Sequence, residues 1–203
     1  MASQQLEFDT LLSDIRRCTL CAADLPFGPR PVVQAGLGAR ILIIGQAPGR
    51  KVHESGVPWR DDSGDRLRDW MGIDIEQFYD PDKIAIMPMG FCYPGPNPKG
   101  GGDLPPMRRC APTWHERLRS HLPHIGLTLV VGRYAQTHYL NKRLSLGETV
   151  RGFRDHLPDT IPLPHPSWRV VRWMGLNPWY EADLLPVLRQ RVRDVLGTGG
   201  QAG

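Results

Sequence analysis

The chain has 203 residues and a formal net charge of +4 at pH 7, which is enough length for one well-buried core and a charge that suits a polyanionic partner without requiring one. Residues 1–20 lack the apolar segment of a signal peptide, and no apolar run approaches membrane-spanning length, which argues against the secreted and membrane-spanning classes. We therefore expect a cytoplasmic monomer with a single domain over residues 1–203, in which residues 197–203, GTGGQAG, form a flexible tail.

Apolar periodicity predicts helices and strands that alternate along the chain. The segment LEFDTLLSDIRRC has apolar residues at helical spacing and predicts an amphipathic helix that ends near Cys18. Short apolar runs predict buried strands in ARILIIG, KIAIMPM, LTLVVG and TIPLPHPS. Helical patterns follow them in SGDRLRDWMGI, MRRCAPTWHERLRSHL, RYAQTHYLNKRL and NPWYEADLLPVLRQRVRDVLG. This alternation predicts an α/β fold of three layers, α/β/α, around a parallel sheet of about four strands.

The first predicted strand runs directly into the loop GQAPGRKVHESGVPWRDDSG, residues 45–64. Gly45 and Gly49 let the backbone approach a ligand closely, and Pro48 stiffens the turn between them. Loops at the carboxyl ends of parallel strands commonly hold ligands, and exposed amides in such a loop can hold carbonyl or phosphate oxygens. The sequence therefore predicts a ligand-binding loop here.

Side chains later in this loop have both a structural and a functional interpretation. Trp59 either covers the end of the sheet or offers a stacking face to a ligand. Asp61 or Asp62 caps the helix that is expected to begin at Ser63, but two adjacent carboxylates are more than a cap needs. One of the two carboxylates is therefore a candidate for chemistry.

The segment PHPSWRVVRW, residues 164–173, follows the last predicted strand. His165 lies between two prolines, so its backbone is rigid and its ring has a fixed direction. Trp168 and Arg169 begin a run in which aromatic and basic residues alternate with valines. That composition suits phosphates and unstacked bases, although solvated arginines are the simpler explanation.

The four cysteines form two pairs, Cys18 with Cys21 in a C-x-x-C motif and Cys92 with Cys110. Two thiolates as close as those of C-x-x-C reach one metal easily, whereas a disulfide framework is not expected in a cytoplasmic chain of this size. Zinc and an iron–sulfur cluster both accept four thiolates, and the spacing does not separate them. The cysteines therefore favour a metal centre of one of these two kinds over the alternative of buried thiols that only pack.

Taken together, these motifs resemble the uracil-DNA glycosylase superfamily over roughly residues 18–195. GQAPG is similar to the first motif of the superfamily and HPSWR to the third, whose histidine-proline-serine core is the most diagnostic piece. The C-x-x-C pair followed by a second, widely spaced pair resembles families 4 and 5, which carry a [4Fe–4S] cluster. The resemblance implies a doubly wound, four-stranded parallel sheet and a structural [4Fe–4S] cluster on Cys18, Cys21, Cys92 and Cys110.

The resemblance also implies roles on a base that has been flipped out of DNA. Trp59 would stack on the base, and His165 would donate a hydrogen bond to the base oxygen on which negative charge develops. Asp61 matches the family 5 aspartate two residues before serine-glycine, so Asp61 is the first candidate for the catalytic carboxylate and Asp62 the second. The base- and DNA-binding residues that it further implies are Gly45, Gln46, Ala47, Pro48, Gly49, Ser63, Ser167, Trp168 and Arg169.

Several positions depart from the pattern of the superfamily. Gln46 occupies the place of the family 4 glutamate and cannot act as a base, and Ala47 replaces an aspartate or asparagine of other families. Pro88 and Met89 stand in the region of the second-motif asparagine that reads uracil in several families. The catalytic carboxylate must therefore come from elsewhere in the chain, and the expected class of substrate is a deaminated or damaged base.

The sequence thus predicts a monofunctional DNA glycosylase that hydrolyses the N-glycosidic bond of a flipped-out deaminated base, uracil first, in base-excision repair. Its partner is DNA that contains such a base, and it needs no dissociable cofactor. The alternative is a DNA-binding protein of the same fold with weak or no excision, which holds DNA through Trp59 and the arginines. A zinc-bound hydrolase of a small molecule has no support beyond the four thiols.

Overall fold

The structure is a computed structural model that describes residues 2–140 and 143–197. Its centre is a four-stranded parallel sheet with the strand order β2-β1-β3-β4. The strands are β1 (Ile41–Ile44), β2 (Ile84–Ile86), β3 (Leu127–Val131) and β4 (Thr160–Leu163). Ile43 of β1 pairs with Ile86 of β2 on one side and with Leu129 of β3 on the other, and β3 also pairs with β4. The two central strands are therefore β1 and β3.

Helices lie between and after the strands. They are α1 (Ala2–Arg16), α2 (Arg50–Ser55), α3 (Asp62–Met71), α4 (Ile75–Tyr79), α5 (Cys110–Arg119), α6 (Arg133–Tyr139), α7 (Leu146–Arg151), α8 (Arg169–Leu176) and α9 (Leu185–Gly197). Short 3-10 helices cover Ala22–Asp24 and Phe153–His156, and a π-helical turn, Tyr180–Leu184, leads into α9. The sequence did not predict α8, because the segment after β4 was interpreted as a loop.

The two faces of the sheet are covered by different helices. In β1, Ile41 and Ile43 point to the core formed with α3, α4, α7 and α9, whereas Leu42 and Ile44 point to the core formed with α1, α5 and α6. All four side chains are fully buried, which explains why the strand is apolar at every position rather than at every second one. The predicted three-layer α/β/α fold is confirmed.

The order of the strands determines where the loops meet. From β1 the chain crosses to β2 on one side of the sheet, and it later returns to β3 on the other side of β1. A crevice forms outside the carboxyl ends of the strands at such a change of direction. The loops that follow β1, β2 and β4 all converge on this edge.

Two sequence predictions concern the ends and the environment of the chain. Apart from Gly197, the predicted flexible tail over residues 197–203 lies outside the described residues. Within residues 2–140 and 143–197, no helix has the length and apolar character needed to cross a membrane.

His115 of α5 is a polar residue inside the second core. It is only 3% exposed. Its Nε2 lies 3.0 Å from the carbonyl oxygen of Pro88, and its Nδ1 pairs with the hydroxyl of Tyr139. The carbonyl can only accept, so Nε2 carries the proton and Nδ1 accepts from the Tyr139 hydroxyl. A neutral ring therefore satisfies both partners, and burial lowers the pKa of His115 to about 4.

This buried histidine makes stability depend on pH. Since its pKa is about 4 in the folded chain and 6.5 ordinarily, the unfolded chain binds the proton more readily between these values. The neutral His115 ring contributes its full stabilisation to the free energy of unfolding above pH 6.5. This contribution, about 3 kcal/mol in total, is lost as the pH falls towards 4. We expect urea unfolding at several pH values to show that the free energy of unfolding falls between pH 6.5 and 4. His115→Gln should largely remove this fall. His124→Gln, which replaces an exposed histidine, should retain the fall seen in the parent chain.

Candidate functional site

A pocket of about 580 Å³ opens at the carboxyl edge of the sheet. Four segments form most of its wall: residues 45–49, 58–63, 97–103 and 165–169. Asp61 and His165 both line it. It is also lined by every residue predicted to contact base or DNA, namely Gly45, Gln46, Ala47, Pro48, Gly49, Trp59, Ser63, Ser167, Trp168 and Arg169.

The glycine loop after β1 forms the floor of the pocket. A side chain at Gly45 would place its Cβ 2.9 Å from Cζ2 of Trp59, so this position needs glycine for the indole to lie against the strand end. The amide of Met89 donates to the Gly45 carbonyl at 2.9 Å, and the amide of Gly90 donates to the Gln46 carbonyl at 3.0 Å. These bonds hold the loop against the chain that leaves β2.

Trp59 has an unusual backbone that the surrounding structure supports. Its φ of 55° lies in the left-handed region, which a bulky residue rarely adopts. The carbonyl of Trp59 packs so tightly on Gly64 that a Cβ at residue 64 would lie 1.8 Å from its oxygen. The Tyr79 hydroxyl donates to the neighbouring Pro58 carbonyl at 3.0 Å. Trp59 packs on the core and also lines the pocket, so both of its predicted roles are compatible with this position.

Asp61 is the N-cap of α3. Its Oδ1 accepts a hydrogen bond from the amide of Gly64 at 2.9 Å, and the residue has extended backbone. The cap uses Oδ1, so Oδ2 remains available to a group inside the pocket. Capping and pocket lining are therefore combined in one carboxylate.

Asp62 is placed differently from its neighbour. It is the first residue of α3, its side chain is 88% exposed, and it forms an ion pair with Lys51 at 3.2 Å. The residue is absent from the pocket lining, because the start of the helix turns adjacent side chains apart. The structure thus brings Asp61, but not Asp62, next to the other predicted site residues.

His165 lies next to Trp59 in the lining of the pocket. The ring centroids of the two residues lie 5.6 Å apart at an angle of 32°. Burial lowers the pKa of His165, and the nearby carboxylate of Asp61 acts in the opposite direction without reversing the shift. The ring is therefore neutral at pH 7. Arg66 of α3 donates to the Pro166 carbonyl at 2.6 Å, which ties the histidine loop to the helix that Asp61 caps.

Trp168 and Arg169 stand at the mouth of the pocket where α8 begins. Trp168 is 74% exposed, and the guanidinium carbon of Arg169 lies 4.9 Å from its ring centroid. Arg169 also donates to the carbonyl of Gly101 at 2.9 Å. An arginine that looked solvated from the sequence therefore bridges two walls of the pocket.

A glycine-rich hairpin forms the pocket wall that the sequence did not predict. The amide of Asn97 donates to the Gly102 carbonyl and the amide of Leu104 to the Gly95 carbonyl, both at 2.9 Å. Its run of glycines and prolines has no apolar period and no motif, so no sequence signal pointed to it. The lining residues that the prediction missed are Val32, Val52, Pro58, Ile86, Pro88, Asn97, Gly101, Gly102, Asp103 and Tyr134.

The family model for the uracil DNA glycosylase superfamily matches residues 33–189, which include all four wall segments of the pocket. The chain belongs to the uracil-DNA glycosylase superfamily. This confirms the resemblance drawn from GQAPG and HPSWR, and membership points to a DNA glycosylase that acts on a DNA substrate. Cys18 and Cys21 precede the matched segment, so assignment to the iron–sulfur families of the superfamily remains a prediction.

The four cysteines of this uracil-DNA glycosylase superfamily member all line one small cavity and are not joined by disulfides. Cys18 and Cys21 follow α1, Cys92 lies in the loop after β2, and Cys110 begins α5. The cavity is otherwise lined by Leu20, Leu25, Pro29, Pro31, Phe91, Met107, Arg109 and Trp114. Three distant parts of the chain therefore bring their thiols to one mostly apolar place.

The protonation of these thiols reflects their burial. Burial raises the pKa of Cys92 to about 11 and that of Cys110 to about 12. Both are thus thiols at neutral pH unless a metal displaces the proton. Backbone hydrogen bonds partly offset this rise in pKa. Arg30 donates one to Cys92, and the Phe91 amide donates one to Cys110 Sγ at 3.3 Å. Such amides are the expected partners of metal-bound thiolates.

Among the described residues, no three His, Cys, Asp or Glu side chains are arranged closely enough to hold a single metal ion. In a tetrahedral zinc site with Zn–S bonds of about 2.3 Å, neighbouring sulfurs lie about 3.8 Å apart. A four-iron cluster is wider than one ion, so its ligands stand further apart. Four thiols that share one cavity are the donor set that an iron–sulfur cluster requires.

Proposed function

We propose that the chain is a monofunctional DNA glycosylase that removes a flipped-out deaminated base, uracil in the first place, in base-excision repair. One observation carries the proposal: on a uracil-DNA glycosylase fold, Trp59, Asp61 and His165 line the same pocket. An aromatic face, a carboxylate and a neutral hydrogen-bond donor are the groups that hydrolysis of an N-glycosidic bond requires.

The base has to leave the DNA stack before it can react. Trp59 gives it a stacking surface that replaces the lost neighbours, and the rigid support around this residue keeps that surface in place. Gln46 and Ala47 line the pocket, and their backbone amides would receive the base oxygens.

His165 stabilises the charge that develops on the departing base. When the bond between the sugar and the base nitrogen breaks, its electron pair moves onto the base, and negative charge collects on a base oxygen. The neutral ring, whose pKa is lowered by burial, donates an N–H to that oxygen. A donor that is already oriented and desolvated costs no reorganisation at the moment of reaction.

Asp61 acts on the other half of the reaction. Positive charge develops on the sugar, and the carboxylate at the pocket wall stabilises it while it orients the attacking water. The water oxygen bonds to the anomeric carbon, its proton passes to Asp61 or the departing base, and the products are the free base and an abasic site. Oδ1 stays engaged with the Gly64 amide, so Oδ2 is the atom that faces water.

The mouth of the pocket suits the DNA backbone. Ser167 and the neighbouring main chain would hold a phosphate, and exposed Trp168 would enter the gap that the base leaves. Arg169 adds positive charge beside it, at the bridge to Gly101. The alternative, DNA binding with little or no excision, is favoured by Pro88, which lines the pocket in the region of an asparagine that reads uracil in several families.

The proposal includes a [4Fe–4S] cluster held by Cys18, Cys21, Cys92 and Cys110, supported by their shared cavity. When bound, such a cluster is structural and joins the segment after α1 to the loop after β2 and to α5. The Arg109 guanidinium donates to the Leu20 carbonyl at 3.3 Å and pairs with Asp24 at 3.0 Å. The Arg109 side chain therefore orders the C-x-x-C loop next to it.

Protein purified without oxygen should be brown and absorb broadly near about 400 nm. Cys92→Ala and Cys110→Ala should bleach this colour and lower the melting temperature, because the cluster links distant segments. Absorption spectra, iron and sulfide analysis and thermal unfolding test this. A colourless protein with one equivalent of zinc contradicts the cluster.

Asp61→Asn should lower the single-turnover rate on a uracil-containing oligonucleotide by about 10²–10⁴-fold, with DNA binding nearly intact. Asparagine also caps helices, so α3 and the pocket persist while the charge is removed. His165→Ala should cost about 10²–10³-fold, as the loss of an oxyanion donor does.

Two variants control this experiment. Asp62→Asn removes the same charge one residue away and outside the pocket, so it should retain most of the rate. Gln46→Ala removes an amide without basicity, so it should cost little in the chemical step, and any loss from its missing bond to the Leu104 carbonyl should appear in DNA binding. If Asp61→Asn excises as fast as the parent while Asp62→Asn or Gln46→Ala is inactive, Asp61 is not the catalytic carboxylate. If the parent releases no uracil, hypoxanthine, xanthine or thymine opposite guanine, the DNA-binding alternative holds.

A further inference from the structure

Two carboxylates line the pocket among the described residues, Asp61 and Asp103, and Asp103 has no part in the mechanism above. Asp103 lies on the hairpin that begins at Gly95, in a bridge opposite Pro96. The hairpin is held at both ends. Its base is held because Gln46 Nε2 donates to the Leu104 carbonyl at 3.4 Å, and its tip is held because Arg169 donates to the Gly101 carbonyl at 2.9 Å.

The two oxygens of Asp103 have different surroundings. Oδ1 accepts from the Tyr93 hydroxyl at 3.3 Å, and Tyr93 is itself buried. Oδ2 lies beside the glycine loop, 3.6 Å from the position that a Cβ on Gly49 would occupy. Burial raises the pKa of the Asp103 carboxyl, so part of its hydration is lost although the residue is open to the pocket mouth. Oδ2 is therefore an acceptor with a defined position beside the glycine loop of the pocket.

One part of the pocket lining offers nothing that reads a base edge. Ile86, Val32 and the ring of Pro88 are apolar there, and the carbonyl of Pro88 is turned away into its bond with His115. A flipped base that stacks on Trp59 next to Gly45 has the loop of residues 45–49 along its edge, and Asp103 stands at the far end of that loop. Trp59 at Gly45 and Asp103 at Gly49 line the same pocket, and the four residues between these two glycine positions span at most about 14 Å.

We propose that Asp103 is a base-reading residue whose Oδ2 accepts a hydrogen bond from a ring N–H of the flipped base. Deamination of cytosine to uracil converts ring N3 from an acceptor into an N–H donor, and deamination of adenine to hypoxanthine does the same at N1. A carboxylate attracts such an N–H and repels the lone pair of the parent ring nitrogen. Asp103 thereby selects lactam bases, an inference that rests on the proposed function of the pocket.

The test is a binding cycle at pH 8, where the carboxylate is ionised. All variants carry Asp61→Asn, and the probes are oligonucleotides with 2′-fluoro-2′-deoxyuridine or its N3-methyl derivative, which lacks the N–H. We expect the N3-methyl probe to bind about 10–100-fold more weakly, and Asp103→Ala to reduce this ratio to about two-fold or less. Asp103→Asn, which keeps the size of the side chain, should weaken binding of the unmethylated probe more than that of the methylated one.

Lys99→Ala on the same hairpin is the matched control, and it should weaken both probes alike and leave the ratio unchanged. If Asp103 only supports the hairpin, Asp103→Ala weakens both probes equally, and this result overturns the inference, as does a ratio near one in the parent. If the parent protein releases uracil but Asp103→Ala leaves the ratio of the two probe affinities unchanged, the base-reading role of Asp103 is wrong and the proposed glycosylase activity stands. If the parent protein releases no base but Asp103→Ala still reduces the ratio, the glycosylase activity is wrong and the base-reading role stands.

Discussion

The pocket depends on the close packing of Trp59 between two glycines. The indole of Trp59 lies against Gly45 at the end of β1, and the backbone carbonyl of Trp59 lies against Gly64 in the first turn of α3. A methyl group at either glycine would overlap the tryptophan, and the left-handed backbone of Trp59 is held by this packing. One constraint therefore sets the position of the aromatic wall relative to both the sheet and the helix that carries Asp61.

From this wall the remaining parts of the site are joined by short polar contacts. Asp61 caps α3 through the Gly64 amide, and Arg66 of the same helix holds the Pro166 carbonyl next to His165. The carboxylate and the histidine come from loops about a hundred residues apart, yet one helix orients both. Rigid elements position reacting groups better than free loops do, which is the physical reason to place the chemistry here.

The sequence predicted the sheet because its strands are unbroken apolar runs, and it predicted the glycine loop and His165 because both have recognisable motifs. It could not separate Asp61 from Asp62, since either residue can cap a helix and only the structure shows where α3 begins. Asp103 was missed because its place in the pocket comes from long-range contacts of the hairpin with Gln46 and Arg169. Helix α8 was missed because the segment after β4 was interpreted as a loop, although Val170, Trp173 and Met174 pack on the core at helical spacing.

The central claim is that a base enters this pocket and meets Trp59, Asp61 and His165 there. A crystal structure of the protein with an oligonucleotide that contains non-hydrolysable 2′-fluoro-2′-deoxyuridine tests it most directly. The account predicts the uracil ring stacked on Trp59, its oxygen within hydrogen-bond distance of the His165 ring, and the anomeric carbon facing Asp61 Oδ2. A uracil that stays in the DNA stack, with the protein bound through phosphates alone, would contradict it.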